Sequence, residues 1–152
     1  MKEILILNGP NLNLTGKREK DKYGCVAFED YLKSELIPYA KKRNFNISYF
    51  QSNHEGDIID KIHDSNDKID YIVINPGALT HYSYAIHDAI KSIDVEVIEV
   101  HITNIFNREQ WRNKSVISPA VKAIISGFGL DSYRLAINYI VESNGHLCQY
   151  DE

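Results

Sequence analysis

The chain opens on an unbroken apolar run, Ile4-Leu5-Ile6-Leu7, that stops at Asn8-Gly9-Pro10. A run this short and β-branched, closed at once by a turn signal, reads as a strand buried on both faces. From Ala27 to Arg43 the apolar positions are Phe28, Tyr31, Leu32, Leu36, Tyr39 and Ala40, the spacing of an amphipathic helix. Pro38 falls inside it, where a missing N–H and a bulky ring predict a kink or an early end. Residues 46–52 read as a second strand. Ser52-Asn53 is placed to cap a helix over 55–66, with Ile58, Ile59 and Ile62 on its inner side. Tyr71 to Ile74 is a third buried strand, stopped by Asn75-Pro76-Gly77; a helix over 84–92 and a fourth strand over 95–102 follow. A polar loop with a short helix over 107–113 leads to a fifth strand, 121–126. The last helix, 130–142, sets Tyr133, Ala136, Ile137, Ile140 and Val141 on one face. Residues 144–152 show no periodicity and read as a tail without fixed structure.

Strands alternating with helices imply a parallel sheet covered on both faces. For five strands in so short a chain the most economical arrangement is a flavodoxin-like three-layer α/β sandwich of strand order 2-1-3-4-5. Strands 1 and 3 then lie side by side at the topological switch point. The loops after strands 1, 3 and 4 converge there, at the sheet edge where open α/β folds bind ligands. Those loops hold Asn11, Arg18 and Tyr23, then Asn75 and His81, then His101, Thr103, Arg108 and Arg112.

Composition changes the picture mainly by exclusion. A chain of 152 residues suits a single catalytic domain and can bury roughly two thirds of its unfolded surface. A net charge of −4 with a quarter of residues charged argues against a general nucleic-acid binder. No apolar run approaches a membrane span. The N-terminus enters a strand without a basic segment and apolar core, so no signal peptide is expected. A reducing, cytoplasmic setting follows, and Asn-x-Ser/Thr triplets at Asn13, Asn46 and Asn113 read as chance matches. Cys25 and Cys148 make no disulfide framework, and Cys25 reads as a small packing residue. The histidines show no zinc spacing, so no metal is expected. Gly9 to Gly16-Lys17 has six intervening residues, not the four of a phosphate-binding loop.

The blocks of polar residues are more specific than the composition. Asn8-Gly9-Pro10-Asn11-Leu12-Asn13-Leu14 is followed by Gly16-x-Arg18-Glu19 and Tyr23-Gly24, then Gln51-Ser52-Asn53-His54-Glu55-Gly56 and Asn75-Pro76-Gly77-Ala78. Later come Glu99-Val100-His101, Asn104-Ile105, Arg108-Glu109-x-x-Arg112 and Gly127-Phe128-Gly129. In this order, over nearly the whole chain, the set resembles the type II 3-dehydroquinate dehydratases. The resemblance implies a cofactor-free hydro-lyase that converts 3-dehydroquinate to 3-dehydroshikimate by stepwise trans elimination through an enolate. It implies a place in the shikimate pathway or in quinate breakdown, and a homododecamer assembled as a tetramer of trimers.

Tyr23 is the candidate base. About one tyrosine in a thousand is ionised at pH 7, and making one a base near neutrality takes roughly 4 kcal/mol of differential stabilisation. Guanidinium groups supply such stabilisation, and Arg18 and Arg108 come from its own and a converging loop. A loop tyrosine is otherwise a packing or surface residue. His101 is the candidate acid. Strand alternation sets Glu99 on its side of the sheet, and a carboxylate beside an imidazole favours the protonated donor; the other reading is a strand-end histidine bonded to a backbone carbonyl. Asn75, which could instead cap its turn, offers an amide for the enolate oxygen. The resemblance adds Asn11, Arg18 and Glu99 to the catalytic group. It assigns substrate binding to Asn75, His81, Asp88, Ile102, Thr103, Arg108 and Arg112, with Arg112 on the carboxylate and His81 and Asp88 on ring hydroxyls. By itself, His87-Asp88 reads as an exposed helix pair.

Some positions depart from the family pattern. Thr15 stands for a usual Leu, Lys20 for a common Pro, Thr103 for Ser, Trp111 for Phe, and Lys114 for a frequent His. None removes a proposed catalytic group. Two other readings fit the same fold class. An FMN or nucleotide module should carry a Ser/Thr-rich phosphate loop after strand 1, and a receiver domain an Asp ending strand 3; Asn8 and Asn75 stand at those strand ends.

Overall fold

The computed structural model describes residues 1–144. Five parallel strands, β1 (Lys2–Asn8), β2 (Phe45–Gln51), β3 (Tyr71–Asn75), β4 (Glu96–His101) and β5 (Ala123–Ser126), pair in the order β2-β1-β3-β4-β5. A four-residue helix, α1 (Lys20–Tyr23), lies in the long loop after β1. Then α2 (Phe28–Tyr31) and α3 (Ile37–Lys41) precede β2. The helices α4 (Glu55–Ser65), α5 (Tyr84–Lys91) and α6 (Asp131–Ser143) follow β2, β3 and β5.

Alternation along the strands builds two separate cores. Ile4 and Ile6 of β1, Val73 of β3, and Ile98 and Val100 of β4 face one side, where α2, the turn that joins it to α3, α3 and α6 cover them with Phe28, Leu32, Leu36, Ala40, Tyr133 and Ile137. Leu5 and Leu7, Ile72 and Ile74, and Val97 face the other, against Ile58 and Ile62 of α4 and Ile86 and Ile90 of α5. Each fully buried aliphatic side chain contributes about 1.5–3 kcal/mol. The expected three-layer sandwich and strand order are therefore found.

Pro38 neither kinks the helix to an end nor stops it early. The chain passes from α2 to α3 through a π-helical turn, Leu32–Leu36, closed by the Ile37 N–H on the Leu32 carbonyl. The wider turn ends just before Pro38, which then occupies the first turn of α3, where proline is tolerated. The expected helix over 107–113 is two short 3₁₀ turns, Ile105–Asn107 and Gln110–Asn113. The capping expectation at Ser52-Asn53 also changes. His54 is the N-cap of α4 and its side chain makes no capping bond. Ser52 Oγ instead accepts the His54 N–H at 2.9 Å and donates to Asp57 at 2.7 Å, and Asn53 turns to the β1 loop. Of the expected tail only Asn144 is described. It is held, its amide donating to Tyr71 Oη at 2.9 Å and to the Ile140 carbonyl at 2.7 Å; the rest, 145–152, lies outside the described residues.

The loops after β1 and β3 interlock. Gly9 N–H donates to the Asn75 carbonyl at 2.8 Å, and a Cβ built on Gly9 would meet the Pro76 carbonyl oxygen at 2.4 Å. Gly77, at φ +60°, sits against Pro10 in the same way. Backbone therefore touches backbone at the switch point, and only glycine leaves room. Gly9→Ala should destabilise the protein by roughly 1–3 kcal/mol, the usual cost of overpacking. A denaturant midpoint equal to the parent's would show that the loops part without penalty.

Candidate active site

Alternation also decides which polar side chains meet at the strand ends. Asn8 and Asn75, aligned neighbours in the β1–β3 register, point to the α6 side. There Tyr133, fully buried, donates its O–H to Asn8 Oδ1 at 2.8 Å and accepts from Asn75 Nδ2 at 2.9 Å. Burial pushes the Tyr133 phenol above its ordinary value, so it serves as a neutral bridge. Asn75 Oδ1 accepts the Gly77 N–H at 3.2 Å, so the turn-capping role and a fixed amide go together.

Glu99 and His101 point to the other side. Glu99 is fully buried, and His101 Nε2 lies 2.6 Å from its Oε1. Ser118 Oγ donates to Oε2 at 2.7 Å and Ser115 Oγ to Oε1 at 2.9 Å. A buried carboxylate is costly without such partners. With Nε2 committed to Glu99, Nδ1 is the nitrogen His101 has for chemistry in the cleft.

Tyr23 ends α1, and its phenol oxygen accepts from Arg108 Nη1 at 2.8 Å. Arg108 Nη1 also donates to Thr103 Oγ1 at 3.2 Å, so the hydroxyl kept at position 103 is used. Arg18 places its guanidinium carbon 4.9 Å from the centre of the Tyr23 ring. Arg108 is nearly buried, and its Nε and Nη2 have no hydrogen-bond partner among the described residues. Its Nε lies 3.7 Å from the Glu109 carboxylate, an ion pair too long to be a hydrogen bond. Lys20, where the family often has Pro, is the first residue of α1, the helical position proline fits best.

One cleft gathers these groups. It is lined by Asn11, Arg18, Tyr23, Asn75, His81, His101, Ile102, Thr103, Arg108 and Arg112, with Pro10, Leu12 and Gly77 between them. Glu99 stands behind His101. Asn11 holds a left-handed backbone, φ 68°, and its N–H is fixed by Asn53 Oδ1 at 2.9 Å. Arg112 reaches the cleft while its Nε bonds Glu109 at 2.7 Å and its plane lies over Trp111. Asp88 is not brought there. It is exposed on α5 and absent from the lining, because the buried stripe of that helix is Ile86, Ala89 and Ile90. Cys25 is a free, exposed thiol and not the packing residue expected. Among the described residues no three His, Cys, Asp or Glu side chains gather closely enough to hold a metal ion.

Sequence reasoning passed over four contributors: Ser115, Ser118, Tyr133 and Asn53. Ser and Asn in loops are too common to signal a role. Tyr133 announced itself only as a core position of the last helix.

His81 Nδ1 lies 2.7 Å from the Lys114 carbonyl, which can only accept, so Nδ1 carries the proton. Burial pushes the imidazole below its ordinary value of 6.5. Neutral His81 thus offers Nε2 as an acceptor for a hydroxyl.

Fold and cleft together define a flavodoxin-like α/β protein with a proton-transfer site at the carboxyl edge of its sheet: a cation-flanked phenol and a carboxylate-backed imidazole in one cleft. The chain belongs to the family described as dehydroquinase class II, whose model matches residues 2–141. It is 57% identical over 143 residues to a 3-dehydroquinate dehydratase of Caldicellulosiruptor bescii, covering 93% of this chain and 98% of that one. A 3-dehydroquinate dehydratase of Bacillus subtilis is 46% identical over 145 residues, covering 95% and 97%. The crystal structure of a type II dehydroquinase from Butyrivibrio crossotus superposes with a TM-score of 0.88 at 48% identity, covering 93% of this chain and 97% of that one. The FMN-module reading finds no support in these comparisons.

The His81 geometry makes a pH prediction. A histidine lowered from 6.5 stays neutral as pH falls through 6.5 and takes up its proton only below it. Affinity for quinate, a hydroxylated ring carboxylate, should therefore hold through pH 6.5 and weaken below it. His81→Asn should remove that acid limb. Calorimetric titrations at several pH values measure both, and an unchanged limb in His81→Asn would assign it to another group.

Proposed function

We propose that this chain, acting as a single catalytic domain in the cytoplasm, dehydrates 3-dehydroquinate to 3-dehydroshikimate. The step belongs to the shikimate pathway toward aromatic amino acids, or to quinate breakdown. One observation carries the reading: the Tyr23 phenol, bonded to Arg108 at 2.8 Å, shares a cleft with a His101 tied to buried Glu99 at 2.6 Å.

The residues then take these roles. Tyr23, as phenolate beside Arg18 and Arg108, removes the proton next to the ketone, and the C–H electron pair moves to the oxygen as an enolate. The Asn75 amide holds that oxygen, directly or through a water. In the second step the carbonyl re-forms, a C=C bond is made, and the C–O bond to the hydroxyl breaks. His101 supplies the proton that turns the leaving hydroxide into water. Arg112 faces the substrate carboxylate with a planar fork. His81 and the backbone at Ile102 and Thr103 take the ring hydroxyls, and Asn11 shapes the wall opposite.

The test is purified protein with 3-dehydroquinate, followed by the rise of enone absorbance; no rise would reject the reading. Tyr23→Phe should keep the fold and lose about 10²–10⁴-fold in turnover, the share of a positioned general base. His101→Ala should still exchange the substrate's α-hydrogen with deuterated water while forming little product. Tyr23→Phe should do neither. Free exchange in Tyr23→Phe with none in His101→Ala would reverse the two roles.

The assembly is a homododecamer, a tetramer of trimers. Asp88 supports it: exposed and apart from its own cleft, it can act on substrate only from a neighbouring copy. Exposed Phe106, Trp111 and Phe128 near the cleft loops, and Ile124 on the edge strand, give apolar surface for such contacts. Sedimentation should show twelve copies of the 17.5 kDa chain, and a stable monomer at micromolar concentration would overturn the assembly.

A further inference from the structure

The loop before β5 does more than connect. From residue 114 to 118 it ties together both histidines of the cleft. The Lys114 carbonyl accepts from His81, and Ser115 and Ser118 donate to the carboxylate that holds His101. The loop is itself pinned, since Val116 N–H donates to the Thr80 carbonyl and the Val116 carbonyl accepts from His87 Nδ1. Val116 and Ile117 are buried beneath it.

The two serines are not equivalent. Ser115 Oγ also accepts the backbone N–H groups of Ile117 and Ser118, at 3.2 and 3.0 Å, so it shapes the turn as well. Ser118 Oγ spends its hydrogen on Glu99 alone, at 2.7 Å, and on Oε2, the oxygen that His101 does not use.

We propose that Ser118 is a positioning residue for the acid step, holding the Glu99 carboxylate in plane so that His101 keeps its Nε2–H on Oε1 and presents Nδ1 to the leaving hydroxyl. The proposal rests on the dehydratase reading above. Without the Ser118 hydroxyl, Oε2 keeps only the Ser115 hydroxyl at 3.2 Å, whose one hydrogen is shared with Oε1 at 2.9 Å, and the carboxylate is left free to rotate. Rotation breaks the 2.6 Å contact with Oε1 that orients His101. Enolate formation at Tyr23 needs none of this, so the defect falls on one step. Arg18, Arg108, Arg112 and His81 line the same cleft, and Glu99 is the carboxylate that meets His101 in it.

Ser118→Ala should lower kcat by about 10–100-fold, the range for losing a hydrogen bond to a charged group, with KM nearly unchanged. Exchange of the substrate α-hydrogen should persist while product formation falls. Ser118→Thr should restore turnover, because it returns the hydroxyl. In a Glu99→Gln background the further change Ser118→Ala should cost little, since the two act through one path. Equal loss of exchange and product, full activity in Ser118→Ala, or additive losses in the double variant would each overturn the proposal. Should Ser118→Ala fail to fold, Ser118→Cys, with a weaker donor, should give an intermediate kcat and the same preserved exchange; normal kcat there would overturn it.

A measurement without substrate separates this proposal from the reaction itself. The His101 Nε2 proton, buried against Glu99, should give a far-downfield NMR resonance in the parent that weakens or vanishes in Ser118→Ala. An inactive parent would sink the dehydratase reading alone, while a resonance identical in both proteins would sink the role of Ser118.

Discussion

The architecture depends on satisfying polar groups that are buried where the sheet's apolar core ends. Buried polar atoms without partners cost free energy comparable to a lost hydrogen bond, or more when charged. At the carboxyl ends of β1, β3 and β4 the chain places two amides, a carboxylate and an imidazole, all buried. The pleat sends the amides to one side and the acid pair to the other. Each side is closed by a different distant segment. Tyr133 of α6 bridges the Asn8 side-chain carbonyl and the Asn75 amide nitrogen, with Asn8 Nδ2 left without a partner among the described residues, and the serines before β5 close on Glu99. The same bonds that permit burial fix an amide and an imidazole in set orientations, so stability and preorganisation come from one set of contacts.

The two halves of the cleft are electrostatic opposites. Around Tyr23 stand Arg18 and Arg108, with hydrogen-bond donors of Arg108 left over. Behind His101 stands one carboxylate with a full set of donors. The phenol is bordered by guanidinium groups and the imidazole by a carboxylate.

Much of this was legible in the sequence because two simple periods govern it. The apolar runs of β1 and β3, abruptly ended by Asn8 and Asn75, gave away the switch point, and period-two alternation put Glu99 beside His101. What escaped had physical reasons. The π-helical turn before Pro38 preserves the amphipathic spacing that predicted the helix, so the pattern could not distinguish it from a kink. Ser118 and Asn53 act through long-range bonds to Glu99 and Asn11, which no local pattern encodes. Asp88 was assigned by motif alone, and the apolar stripe of α5 turns it to solvent.

The cleft is also uneven in how firmly it is built. Its acid half rests on buried residues of β4 and on a loop anchored by Val116 and Ile117. Its base half rests on α1, four residues with no buried side chain, entered through Glu19 at φ 40°, a left-handed backbone that costs a non-glycine residue. The ion pairs holding that segment, Glu19 with Arg18 at 3.5 Å and with Lys22 at 3.0 Å, are more than a third exposed, the kind worth about 0–1 kcal/mol. Local opening draws on the least-buried elements first. The segment carrying Tyr23 is therefore weakly anchored compared with the acid half. Its tie to the rest of the cleft is the 2.8 Å bond from Arg108 to the Tyr23 phenol, so the contact that sets the base beside a guanidinium also anchors the segment.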